Sequence, residues 1–308
     1  MAPISLKLCR RIALLALPLL LASCSAVQLS YNNADLWVRW KADSYFDLRP
    51  AQEAELRVRV ARFHDWHRSH ELPQYAELMR SAAKRLEDGL SDQDIAWAVE
   101  NVRARYRALV VQAIADSAPL VVTLSSEQLA HLRSRFAEDN RKFTKQFLSD
   151  SEEKRVEARD KRLEEWLSDW IGDLTREQEQ RVAAMVSVTP DRAATRLAER
   201  IRDQREFIEI LKSEPNPETL VPRLTDLMEN WETRRSREQV NEDKLVETQF
   251  YRMLLDLDRS LTPAQRAHAV RRFQRYAADF AELAAQTGRS EAGAGSNEGA
   301  AGGQSAGM

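Results

Sequence analysis

Residues 95–113 read Ile-Ala-Trp-Ala-Val-Glu-Asn-Val-Arg-Ala-Arg-Tyr-Arg-Ala-Leu-Val-Val-Gln-Ala, and this stretch decides the fold class. Ile95, Val99, Val102, Tyr106, Leu109 and Ala113 recur at intervals of three and four. That spacing gathers apolar side chains on one helical face, whereas a strand would alternate with period two. The same pattern extends in both directions. Upstream, Leu56, Val60 and Phe63 form one stripe, and Tyr75, Leu78, Ala82 and Leu86 a second. Downstream come Leu129, Leu132, Phe136, Phe143 and Phe147, then Leu163, Trp166 and Trp170, then Leu197, Ile201, Ile208 and Leu211. Leu220, Leu224, Leu227 and Trp231 follow, then Val246, Phe250, Met253 and Leu257, and last Val270, Ala277 and Ala284.

Glycine usage agrees. Seven of the nine glycines lie between Gly288 and Gly307, which leaves only Gly89 and Gly172 in the body of the chain. A strand-rich fold of 308 residues needs many glycine turns. The expectation is therefore an all-α fold, an extended bundle or array of about eight or nine helices with no sheet. Residues 126–171 and 223–258 contain neither glycine nor proline and are expected to form two long helices. Asp150 to Arg162, charged almost all round, then reads as a solvent-bridging section held by i,i+4 pairs. Gly172 is expected to end the first rod. The helical domain spans 24–286, with a candidate sub-boundary at 213–218 beside Pro215 and Pro217, and the Gly/Ala/Ser-rich tail 287–308 is expected to be disordered.

At the other end, Lys7, Arg10 and Arg11 precede an uncharged run from Ile12 to Leu21, the layout of a secretory signal peptide over residues 1–23. The run is roughly half of what a membrane-crossing helix needs. Leu21-Ala22-Ser23-Cys24 resembles a bacterial lipobox. That resemblance implies cleavage before Cys24 and its lipidation, with a thioether-linked diacylglyceryl group and an added acyl chain of the palmitate type. Two or more chains anchor stably where one binds only reversibly. Ser25 follows the cysteine, and in the enterobacterial sorting pattern that this resembles, serine accompanies transfer to the outer membrane. The expected location is the cell envelope, as an outer membrane lipoprotein facing the periplasm.

The formal net charge is −2, and removal of the leader takes away three cations and no acid. Basic and acidic residues interleave throughout, so the basic face required by nucleic acid is missing, and nucleic acid is set aside as a partner. Cys9 lies in the leader and Cys24 would carry lipid, leaving no thiol for a disulfide, a nucleophile or a zinc site.

A five-residue signature recurs: Leu90-Ser91-Asp92-Gln93-Asp94, Leu124-Ser125-Ser126-Glu127-Gln128, Leu174-Thr175-Arg176-Glu177-Gln178 and Leu261-Thr262-Pro263-Ala264-Gln265. Leu48-Arg49-Pro50-Ala51-Gln52 is a degenerate copy. Ser or Thr at the N-cap accepts from the N3 amide while Gln at N3 reaches back to the cap amide, and Pro50 and Pro263 fall at N1, where proline is welcome. The signature is thus expected to start helices. Leu-Thr-x-x-Gln repeats also resemble those of periplasmic helical stress chaperones, with similar spacings in the helical foldases of secreted lipases.

A broader resemblance covers the body. Tyr31-Asn32, Trp37, Trp40 and Asp43-Ser44-Tyr45-Phe46-Asp47-Leu48, within the stretch Cys24 to Gln52, look like the opening of the bacterial lipoprotein family DUF6279. Trp166-Leu167 to Gln178 and Leu261 to Phe280, with Tyr276 and Asp279-Phe280, are similar to the same family. The resemblance implies a helical envelope lipoprotein and carries no catalytic residue with it.

His64, His67 and His70, with Asp65 and Glu71 nearby, are the cluster with any capacity to ligate a metal. Three-residue steps turn each histidine about 60° from the last, so two can share a metal while the third is turned well off the first; packing of His67 and His70 against another helix is the favoured account, and no metal is expected. The pairs Trp37/Trp40 and Trp166/Trp170 read as packing seams, and Trp37 and Trp40 lie close enough to Cys24 to meet lipid headgroups as an alternative. Phosphate loops, nucleophile elbows and HExxH helices are absent, so no catalytic residue and no cofactor is expected. The favoured expectation is a non-enzymatic protein-binding scaffold, adaptor or chaperone-like component with an envelope protein partner, held to the membrane by its lipid. The alternative is a helical hydrolase of envelope polymers such as peptidoglycan, which would show a cleft holding a carboxylate of raised pKa.

Overall fold

The computed structural model describes residues 26–230 and 234–298, with side chains through residue 286. The expected signal peptide 1–23 and the lipidation site Cys24 lie outside the described residues, as does the end of the expected tail from 299 onward. The described elements are helical, without a strand among them, as the periodicity predicts. In chain order they are α1 (Ala26–Asn32), α2 (Ala34–Phe46), α3 (Pro50–Trp66), α4 (Leu72–Asp88), α5 (Asp92–Val121), α6 (Ser126–Phe147), α7 (Glu152–Ile171), α8 (Arg176–Val188), α9 (Ala193–Ser213), α10 (Pro217–Glu229), α11 (Arg237–Arg259) and α12 (Pro263–Glu298). No helix among the described residues is long and apolar enough to cross a membrane.

The long helices are not the two expected. The stretch 126–171 breaks after Phe147, and Ser151 starts α7 with its side chain accepting from the Lys154 amide. The stretch 223–258 breaks after Glu229, and Ser236 starts α11 through a capping box with Gln239. Absence of glycine and proline permits a continuous helix without enforcing one, and a serine N-cap ends the run in both places. The charged section after Ser151 does not bridge solvent either. Arg159 donates to the carbonyls of Val186, Thr189 and Pro190, closing the C-terminus of α8, and Arg155 pairs with Asp191 at 2.7 Å.

The long elements are α5, α12 and the continuous run of α3 into α4. A π turn, His67–Glu71, joins that run, with the Leu72 amide donating to the His67 carbonyl. Pro73 explains the turn: its ring cannot accept a regular carbonyl four residues back and it offers no N–H, so the helix widens just before it. Along most of its length α4 lies against α12.

Apolar side chains collect in two cores. One gathers Ile114 and Ala118 of α5, Leu129 and Leu132 of α6, Ile208 and Leu211 of α9, and Leu220, Leu224 and Leu227 of α10. The other gathers Ala83 and Leu86 of α4, Leu167 and Ile171 of α7, Val182 and Val186 of α8, Met253 and Leu257 of α11, and Ala269 and Val270 of α12. The helices on either side of Pro217 share the first of these cores. The stripe on residues 95–113 forms a helix but not a core, for Val102 and Tyr106 are exposed where α5 runs from one core to the other.

Each core is closed by a pair of the recurrent signatures. Gln52 and Gln128 exchange amide hydrogen bonds at 3.2 and 2.8 Å, and each Nε2 also donates to the carbonyl before the opposite motif, Thr123 and Asp47. Gln178 and Gln265 do the same at 3.1 and 2.9 Å, reaching the carbonyls of Ser260 and Asp173. Every one of these glutamines also accepts from its own cap amide, at Arg49, Ser125, Thr175 and Thr262, so the expected capping role holds. The degenerate copy at Leu48 is a full member of a pair. The Leu90 copy is a plain capping box between Ser91 and Asp94, and its Leu90 amide donates to the buried Asp258.

Candidate functional site

The stripe Leu56, Val60 and Phe63 on α3 faces inward, yet it does not fill a closed core. With Ala34, Val38 and Ala42 of α2 and Ala113, Leu120 and Val121 of α5, it lines an apolar cavity of about 440 Å³. Leu48 and Leu124, the first residues of the paired signatures, form its floor beside the Gln52–Gln128 pair. One wall carries charge. Arg59 Nη1 donates to the Asp116 carbonyl at 2.8 Å, and the buried Asp116 carboxylate is met by Arg62 and by Gln112 Nε2 at 2.9 Å. These contacts occupy the Asp116 carboxylate and Arg59 Nη1, while the buried Arg59 Nε has no hydrogen-bond partner.

The mouth of the cavity is aromatic. Tyr31 stacks on His64 at 4.5 Å and on His67 at 5.5 Å, and its hydroxyl lies 2.9 Å from His67 Nδ1. Phe63 and Tyr75 enclose His67 from two other sides. Burial pushes His67 down to about 4, helped by the neighbouring His64, and pushes the Tyr31 hydroxyl up to about 12. His64 is also lowered, first by burial and then by the Arg68 charge. At neutral pH this cluster is an uncharged wall.

Of the three candidate histidines, the fold brings His64 and His67 together and turns His70 away. His70 stacks on Trp66 at 6.2 Å, with Nδ1 against Ser69 Oγ at 2.8 Å. Glu71, a proposed neighbour, is buried and paired with Arg105 at 3.2 Å. Among the described residues no group of three His, Cys, Asp or Glu side chains is placed to hold a metal ion. His64 and His67 pack against Tyr31, and His64 Nε2 is buried without a hydrogen-bond partner.

A second cleft, of about 510 Å³, lies between α6, α7, α9 and α11 and is edged by Phe147, Arg155, Arg159, Trp166, Asp191 and Arg196. Asp191 in this cleft is not of the raised kind. Burial alone would raise Asp191, but hydrogen bonds from Arg155 and the Ala193 amide, with the Arg159 charge, hold it below the ordinary range. Asp160 and Glu164 are raised, chiefly by burial, and line neither cleft.

The tryptophan pairs divide. Trp170 packs on Phe273 at 4.9 Å and Tyr276 at 5.6 Å, as a seam should. Trp37 and Trp40 are mostly exposed to solvent. Two features escaped sequence reasoning. Tyr31 joins the histidines across an interval of more than thirty residues, and the π turn that aims His67 at it was signalled only by Pro73.

The family described as a family of unknown function, DUF6279, matches residues 44–239. The match takes in Trp166 to Gln178, and it leaves Leu261 to Phe280 and most of Cys24 to Gln52 outside. No curated protein and no solved structure matches the chain.

Proposed function

The chain belongs to the DUF6279 family, and we propose that it is a non-enzymatic, lipid-anchored envelope protein whose apolar cavity receives an apolar segment of a protein partner. The observation that carries this reading is the cavity between α2, α3 and α5, wide enough for several side chains and lined almost wholly by carbon. Binding sites of this size are commonly apolar with a few polar groups that orient the ligand. Here Asp35, Arg59 and the Tyr31–His67 pair supply that fringe. The location follows from the leader and Cys24, and the scaffold, adaptor and chaperone roles are three uses of one cavity. The hydrolase alternative needs a carboxylate held protonated in a cleft, and the acids raised by burial, Asp160 and Glu164, do not line a cleft.

A photoreactive side chain in place of Leu56, activated in intact cells, tests the proposal. One dominant envelope protein captured supports scaffold or adaptor, and many unfolded clients support a chaperone. Glycan fragments in place of protein overturn it in favour of the hydrolase.

A further inference from the structure

α1 and α2 expose large apolar side chains on the side turned away from the rest of the fold. The inner side of α1 is fixed by the buried Gln28, whose Nε2 donates to Asp279 at 3.1 Å and Glu282 at 2.9 Å on α12. The inner side of α2 lines the cavity through Ala34, Val38, Ala42 and Phe46. On the outer side, Leu36 (56 % exposed) and Trp40 (64 %) lie four residues apart on one face of α2 with Trp37 (61 %) beside them, and Leu29 (64 %) is exposed on the preceding α1. No other stretch of the described chain exposes as many large apolar side chains so close together. Isolated exposed apolar residues are ordinary, whereas a contiguous group containing two indoles calls for a cover.

The geometry points to the headgroup region of a lipid bilayer as that cover. α1 begins two residues after Cys24 in the chain, so Leu29, five residues from that cysteine, is separated from it by at most about 18 Å even if the intervening chain is fully extended. A lipid on Cys24 therefore keeps this face close to the membrane surface. The side chains suit the place: indoles concentrate at the membrane–water boundary, and an apolar stripe on a short helix lies in the interface plane without spanning. α1 and α2 thus lie along the bilayer, and the cavity behind α2 opens within a helix diameter of the surface. The inference rests on the lipid anchor proposed above.

The acylated protein purified from its own membranes, mixed with phosphatidylethanolamine/phosphatidylglycerol vesicles bearing brominated acyl chains, tests it. Flotation with the vesicles reports the anchor, and loss of tryptophan emission to bromine reports the face. Quenching in the parent that is lost in the W37F/W40F double variant, with flotation equal in both, is the expected result. Equal quenching in parent and variant, or none in either, overturns the inference while flotation leaves the anchor standing. Failure to float removes anchor and inference together. A crosslinked dimer through Trp37 and Trp40 without quenching gives the face to a second copy and overturns the inference.

Discussion

Gln178 and Gln265, 87 residues apart in the chain, exchange a reciprocal pair of amide hydrogen bonds at the starts of α8 and α12. Gln178 is 1 % exposed. Each side-chain amide bonds to its own helix cap, to the other glutamine and to the carbonyl preceding the other motif, so nothing in the pair is left to water. Removing one member orphans several groups at once.

Gln178→Leu should therefore lower stability by about 3 kcal/mol, more than the roughly 1 kcal/mol of an ordinary hydrogen bond, because buried donors and acceptors lose their partners. The double variant Gln178→Leu/Gln265→Leu should cost less than the sum of the single ones by about 1 kcal/mol or more. Urea titration of the four proteins measures both quantities. Strict additivity would mean that the two glutamines act only as separate caps.

His67 makes the fold acid-sensitive. Its folded pKa, down to about 4, lies below the ordinary 6.5, so the unfolded chain binds the extra proton first. The contribution is fully present above pH 6.5 and is lost as pH falls toward 4. With allowance for partial exposure it amounts to about 1–2 kcal/mol. A His67→Phe variant should show a flatter decline of the unfolding midpoint across that window, and an unchanged slope would remove His67 as the cause.

The buried ion network at the start of α9 should matter more than surface pairs. Arg192 and Arg235 converge on Glu199 at 3.4 and 3.2 Å, with Asp243 bridging both arginines. Glu199→Ala leaves buried guanidinium charge with less compensation and should cost about 3 kcal/mol. Glu177→Ala, which removes an exposed partner of Arg181, should cost no more than about 0.5 kcal/mol. Thermal denaturation of the two variants side by side distinguishes them.

Gly172 ends α7 at φ +83°, in the left-handed region that a Cβ disfavours. The space itself is open, for an added Cβ would meet His268 only at 3.9 Å. Gly172→Ala should thus cost about 1 kcal/mol through backbone strain alone, and a midpoint shift well beyond that would mean a packing role instead.

Local chemistry was legible in the sequence and long-range pairing was not. The caps at Ser91, Ser125, Thr175 and Thr262, the N1 prolines and the stop at Gly172 all follow from residues within one turn of each other. Ser236 with Gln239 is a capping box of the same kind and marks a helix start inside the supposed second rod. What capping could not reveal is which signatures meet. A Gln at N3 looks the same whether its Nε2 faces water or another glutamine across 76 residues. The stripe from Ile95 to Ala113 gave the helix correctly, but periodicity reports that a face is apolar and not what lies opposite. The cavity behaves likewise, since Leu56, Val60 and Phe63 read as core and prove to be a wall. DUF6279 membership, expected from Trp166 to Gln178 among other segments, holds over 44–239.

The two cores are interlaced along the chain, with Leu86 waiting for Val270 and Ile114 for Leu227. A polypeptide emerging amino end first cannot seal either assembly until its last third is released. Its folding is therefore slow to commit, as contacts between distant segments require. No single cut yields two self-sufficient fragments: shortening from the carboxyl end by one helix unroofs Gln178 and strips α4 of its neighbour.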